Sequence, residues 1–167
     1  SVITGTAFTG LIRNSIHNIS VLLNKDSKIK KLCDDFMGYV DNENKEARAS
    51  KIVIEESDIT GGKLLSQTRN KIDRFTGGTV DSALFDEKSS FGGKTKLSIK
   101  IKKENDYEAF IGLICLVLKE IDNGISTIGG AVNIGRGILK ESTKNISEPE
   151  EKNYIKAFAK YLNVGGN

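Results

Sequence analysis

The residues of this chain best suited to chemistry lie in three short stretches, of which the most informative is Gly129-Gly130-Ala131-Val132-Asn133-Ile134-Gly135-Arg136-Gly137. Four glycines in nine residues permit positive φ and remove the Cβ, so a ligand can come close to the backbone. Asn133 and Arg136 add an amide and a forked guanidinium, and the fork suits phosphate geometry. Such a loop either closes a tight turn or cradles a polyanion. A P-loop is not supported, because Gly130-x-x-x-x-Gly135 continues as Arg136-Gly137 where lysine and serine or threonine are required. Gly93-Lys94-Thr95 has the right ending, but Lys88 stands where the first glycine should be. A dinucleotide fingerprint needs a strand before the glycines and a helix after them, the reverse of the pattern here.

The second stretch is Arg69-Asn70-Lys71-Ile72-Asp73-Arg74-Phe75-Thr76-Gly77-Gly78. Cations beside an aromatic can combine phosphate contact with base stacking, and the alternative is an ordinary solvated loop. The third is Thr4-Gly5-Thr6-Ala7-Phe8-Thr9-Gly10-Leu11-Ile12-Arg13. It reads as a helix start whose free N–H groups suit a phosphate, with Arg13 adding charge one or two turns later. A capped helix start with no ligand explains the same residues. His17 is the sole histidine and is expected to be structural, buried along an apolar helix face. Asp34-Asp35 and Glu55-Glu56 are adjacent in sequence, point to different faces and make no metal site.

The elements that must position these stretches follow from hydrophobic spacing. Phe8, Leu11, Ile12, Ser15, Ile16 and Ile19 predict a helix over residues 7–23 with Thr6 as N-cap, and Ile29, Leu32, Cys33 and Phe36 a second over 27–38. Residues 41–49 read as a solvated loop, 51–55 as a strand, and 61–62 as a turn. Residues 67–85 read as polar, and 83–90 as a further strand. The alternation of Thr95, Leu97, Ile99 and Ile101 predicts a half-buried strand over 94–102, in a hairpin turned at Gly92-Gly93. A well-buried helix is expected over 107–122, a strand at 137–139 after the glycine loop, a linker around Pro149 and a last helix over 151–162.

The 167 residues suit one domain, with 38% hydrophobic and 28% charged residues as in ordinary globular proteins. A net charge of +3 permits an anionic partner. Cys33 and Cys115 sit among apolar neighbours without metal-ligand spacing, so buried free thiols are expected and no zinc. With no signal peptide and no apolar run of about 20 residues, the chain reads as cytosolic and its two Asn-x-Ser sequons as meaningless. It begins with Ser1, which reads as a processed or incomplete chain.

Helix, strand, hairpin, helix, strand is the latter part of a β-α-β-β-α-β ferredoxin-like pattern. The first strand is absent from this order, since residues 1–3 are too short to supply it. The three stretches together resemble the RAMP superfamily of CRISPR-associated proteins. Residues 4–13 are similar to its helix-start motif, and residues 129–137 to its C-terminal glycine-rich loop. Lys71-Ile72-Asp73-Arg74-Phe75-Thr76-Gly77-Gly78, followed by Ala83-Leu84-Phe85, resembles a segment of type III backbone subunits. The resemblance implies an α+β, RRM-like domain over 1–167, with a thumb-like insertion at about 61–93 and a helical extension at 150–167.

It further implies a subunit, or part of one, that stacks along CRISPR RNA beside neighbouring copies or paralogues and presents the guide to target RNA. Guide contact would be sequence-blind, with base pairing supplying specificity, as in RNA-guided DNA recognition. The expected RNA-contacting residues are Thr4, Gly5, Thr6, Thr9, Arg13, Arg69, Lys71, Arg74, Phe75, Thr76, Gly77, Gly78, Gly129, Gly130, Asn133, Gly135, Arg136 and Gly137, with no cofactor and no metal. In members that cut target RNA, the catalytic aspartate lies between the first strand and the helix-start motif. No aspartate occupies residues 1–3, and Asp73 and Asp81 are poor substitutes, Asp73 being expected to pair with Arg74. Two alternatives stand beside this reading: a CRISPR RNA-processing endoribonuclease using His17, and an RRM-like protein outside CRISPR. The last lacks the strand-borne aromatic pair on which an RRM stacks bases.

Overall fold

The computed structural model describes residues 1–130 and 132–163, Val132 by its backbone alone. Ala131 of the glycine loop and the end of the C-terminal extension, 164–167, lie outside the described residues. The chain divides into two compact units, one formed by Ser1–Ile3 and Ser57–Lys96, the other by Thr4–Glu56 and Leu97–Asn167.

The second unit holds every buried apolar side chain found among the described residues. Helix α1, Gly5–Leu23, turns Phe8, Leu11, Ile12, Ile16 and Ile19 inward. Its cap is Thr4 rather than Thr6: the Ala7 N–H donates to Thr4 Oγ1 at 3.2 Å. Thr6 sits inside the first turn, where its hydroxyl lies 2.9 Å from that of Thr4. Helix α2, Asp26–Met37, buries Ile29, Leu32, Cys33, Phe36 and Met37. The expected loop after it is a hairpin, β2 (Tyr39–Asp41) against β3 (Glu46–Arg48). Asp41 Oδ1 accepts from the N–H groups of Glu43 and Asn44, so turn chemistry makes this hairpin where apolar periodicity gave no sign.

Strand β4, Ile52–Ile54, pairs antiparallel with β8, Ile99–Ile101. Helix α3, Tyr107–Asp122, spans the expected residues and buries Phe110, Leu113, Val117 and Ile121. The Phe110 ring stacks on Phe36 at 4.5 Å between centroids. Helix α4, Glu148–Asn163, starts earlier than expected, and Pro149 belongs to its first turn rather than to a linker, a place where proline's missing N–H costs nothing. The buried Glu151 carboxylate is gripped by Lys144 and by Lys119 of α3, and the Lys144 hydrogen bond first, then Lys119, draws its pKa below the usual range. In chain order α1, β4, β8 and α3 form the α-β-β-α middle of a ferredoxin-like unit, and the fold is α+β with small antiparallel sheets.

The first unit is built of β1 (Val2–Ile3) on β5 (Ser57–Asp58), and of a long hairpin, β6 (Lys63–Arg69) on β7 (Phe85–Phe91). Two expectations fail here. Residues 63–69 are a strand, missed because Leu64-Leu65-Ser66-Gln67 does not alternate and leaves both faces exposed. The turn at Gly92-Gly93 does not join β7 to β8: β7 pairs with β6, Lys94 bridges to Thr60, and only Ile99–Ile101 of the alternating run is strand. Among the described residues the sheets are four separate pairs rather than one, and no strand follows the glycine loop.

Candidate nucleic-acid interface

The glycine loop is closed at its base by one backbone bond, Ile128 N–H donating to the Gly137 carbonyl at 2.9 Å. Gly137 has φ +75°, and a Cβ there would fall 1.9 Å from the Ile128 carbonyl oxygen, so no other residue fits. Gly129 and Gly135 also have positive φ, at +80° and +79°, but face open space. Between them a single 3-10 turn, Val132–Ile134, carries the exposed Asn133. The result is a rim of accessible backbone at Gly129, Gly130 and Gly135, beside a half-buried Arg136. Residues 137–139 lie in no strand.

In the same unit, a cleft of about 450 Å³ runs between the first turns of α1 and the approach to the glycine loop. Ala7, Gly10 and Asn14 line it on the helix side, and Ile125, Thr127 and Gly129 on the other. The fold thus brings the helix-start stretch and the glycine stretch to one place. Within the first, however, several expected contacts are occupied locally. Thr4 caps the helix, Thr9 Oγ1 donates back to the Gly5 carbonyl at 2.8 Å, and a Cβ on Gly5 would meet the Ile54 carbonyl at 2.4 Å. Arg13 Nη2 donates to the carbonyls of Met37 and Gly38, at 3.1 and 2.8 Å, closing the C-terminus of α2. That use of the guanidinium was not legible in the sequence. Asn14, Ile125 and Thr127 were missed as well. The signal for Asn14 was its place four residues after Gly10 and three before His17 on one face of α1.

The cationic stretch lies in the first unit, at the end of the β6–β7 hairpin. Asp73 does not pair with Arg74: its carboxylate accepts from the Phe75 and Thr76 N–H groups at 2.7 and 3.3 Å. Thr76 Oγ1 accepts from the Gly78 N–H, and Ile72 bridges to Thr79. This ordered turn leaves Lys71 and Arg74 exposed and Phe75 95% exposed, while Arg69 pairs with Glu87 at 2.9 Å. An aromatic face so placed can take a stacked base, and the flanking cations can meet phosphates.

His17 is exposed on α1, not buried as expected, because the apolar stripe of Ile16 and Ile19 turns away from it. Cys33 and Cys115 are buried free thiols, and burial pushes both pKa values up, so neither is a ready nucleophile. Among the described residues no group of three or more His, Cys, Asp or Glu could hold a metal, and no helix is long and apolar enough to cross a membrane.

No curated protein matches the sequence. Residues 1–140, which include all three stretches, match the family model of the RAMP superfamily. The chain therefore belongs to the RAMP superfamily, a membership that supports a CRISPR-associated, RNA-binding role.

Proposed function

We propose that this chain is an RNA-binding backbone subunit, or part of one, in a type III CRISPR interference complex. It holds guide RNA for pairing with target RNA in the cytoplasm, alongside neighbouring copies or other effector subunits. The observation that carries this reading is the glycine loop, pinned by Gly137 against Ile128, with Gly129, Gly130 and Gly135 exposed, open space beside them, and Gly129 lying next to α1. A polyanion of any sequence can approach such a rim, and Arg136 and Asn133 supply polar contacts. The Lys71, Arg74 and Phe75 turn, whose sequence resembles type III subunits, offers a second contact of the same kind.

The test is Arg136→Ala in a well-folded variant. Affinity for unrelated single-stranded RNAs should fall by similar factors, with a salt slope shallower by about 0.7, one phosphate contact's worth. Unchanged affinity and slope would remove the loop from the interface.

One observation keeps a second reading in place: His17 is exposed on α1 rather than buried along its apolar face. General acid–base catalysis by a processing endoribonuclease needs such a group near the reacting oxygen. On the backbone reading, CRISPR RNA precursor stays intact with the purified chain. Site-specific cleavage that disappears in His17→Ala would decide for the enzyme.

A further inference from the structure

We infer that Glu120 and Asp122, on the last turn of α3, are positioning residues that hold the two arms of the glycine loop where it can meet RNA. The inference rests on the RNA-binding reading and deepens it, since it names carboxylates that set the loop's affinity without touching the ligand.

Helix α3 ends in a turn closed by Gly124, at φ +72°. The Gly124 N–H donates to the Ile121 carbonyl and the Ile125 N–H to that of Glu120, the paired bonds of a Schellman stop. The Glu120 side chain extends this grip: Ser126 Oγ donates to its Oε2 at 3.0 Å, with Ser126 1% and Glu120 8% exposed. Shortly after, Ile128 opens the loop through its bond to Gly137. On the outgoing arm the Glu141 N–H donates to Asp122 Oδ1 at 2.9 Å. Both arms are thus tied to one helical turn, the first through a buried hydroxyl and the second through a backbone amide.

Stability alone does not account for Glu120. Burying a carboxylate strips it of water, and a neutral hydroxyl as partner returns little of that loss. A leucine there would bury apolar surface without the penalty. What the carboxylate adds is direction, because an acceptor fixed in a packed core accepts from one hydroxyl at one place. The glycines beyond need that direction: the space beside Gly129, Gly130 and Gly135 is open, so few contacts of their own fix their course. The other buried carboxylate, Glu151, grips Lys119 and Lys144 and joins α3 to α4 further along the chain. Charge and geometry make opposite demands on Glu120 and Asp122. By charge alone, losing a carboxylate beside a polyanion site raises affinity. If the carboxylates hold the loop, the same loss lowers it.

The experiment measures affinity for a single-stranded uridine decamer at one salt concentration, below the thermal midpoint of every variant. Glu120→Ala and Asp122→Ala should each weaken binding roughly 2- to 30-fold, the range for changes that reach a site through intervening contacts. Glu120→Gln and Asp122→Asn lose the charge but keep an acceptor oxygen, and should bind as the unmodified chain does. In the Arg136→Ala background the alanine substitutions should weaken binding less, as coupled residues do. Without RNA, the Ile128 amide should exchange faster in the alanine variants, by a larger factor than the amides of Leu113 and Val117. Where Glu120→Ala does not fold, Ser126→Ala and the half-buried Asp122→Ala carry the test. Folded alanine variants that bind the decamer as tightly as the unmodified chain, or tighter, overturn the positioning role while RNA binding stands. So does a loss that the amide variants share in full. An unmodified chain that does not bind the decamer overturns the RNA-binding reading and the positioning role with it.

Discussion

Arg13 illustrates how one residue's duty is decided by its neighbours. In sequence it is a cation shortly after a helix start, well suited to a phosphate. In the fold its Nη2 donates to both Met37 and Gly38 carbonyls, which would otherwise be orphaned at the negative end of α2. Hydrogen bonds from a charged donor are worth about 1.5–3 kcal/mol, and partial exposure places this pair toward the lower end. Arg13→Ala should therefore lower the thermal midpoint by several degrees, with RNA affinity reduced far less than in Arg136→Ala. An unchanged midpoint together with a large loss of affinity would return Arg13 to the interface. Asp73 carries the same lesson. Its neighbour Arg74 suggested an ion pair, yet the backbone N–H groups two and three residues on are closer and better aimed.

Helices were legible where a stripe of buried residues recurs at helical spacing. The limits of α1, α2 and α3 fall within two residues of expectation because each has one apolar face and a definite stop. Of the β6–β7 hairpin only β7 was legible, as the strand expected over 83–90; β6 was not, since neither of its faces is buried and alternation then carries no information. The α3–α4 contact was equally hidden. A Cβ on Gly112 would sit 2.1 Å from the Tyr154 carbonyl oxygen and 2.9 Å from Phe158 Cβ. A glycine amid eight apolar residues reads only as a weak helix position, whereas here it lets two helix backbones meet. Gly112→Ala would raise intrinsic helix propensity by about 1 kcal/mol. It should nonetheless destabilise the protein by about 1–3 kcal/mol, as overpacking does, because backbone rather than a flexible side-chain end must move. A denaturation midpoint equal to or above that of the unmodified protein would show that α4 can shift freely.

At the scale of the whole molecule, burial is divided unevenly between the two units. All the buried apolar side chains among the described residues belong to the unit containing α1 to α4, while the hairpin unit keeps Leu64, Phe75, Phe85 and Phe91 exposed. Few buried contacts mean a low free energy of local opening. Amide exchange in β6 and β7 should be faster by orders of magnitude than in α3, and RNA should slow it at residues 71–78. Equal protection of hairpin and α3 in the free protein would contradict this division. RNA that leaves residues 71–78 unprotected would remove them from the interface.

The sequence alone determined the α+β class, the three long amphipathic helices and the family to which the chain belongs. Each of these is written in local patterns: an apolar stripe, a cap, a run of glycines. Tertiary structure decided which strands pair, that Gly137 must stay bare against Ile128, that Arg13 serves α2, and that Asn14 faces a cleft with Thr127. These depend on atoms far apart in the chain, where spacing along the sequence holds no record of the partner, and only packing brings the two sides within reach.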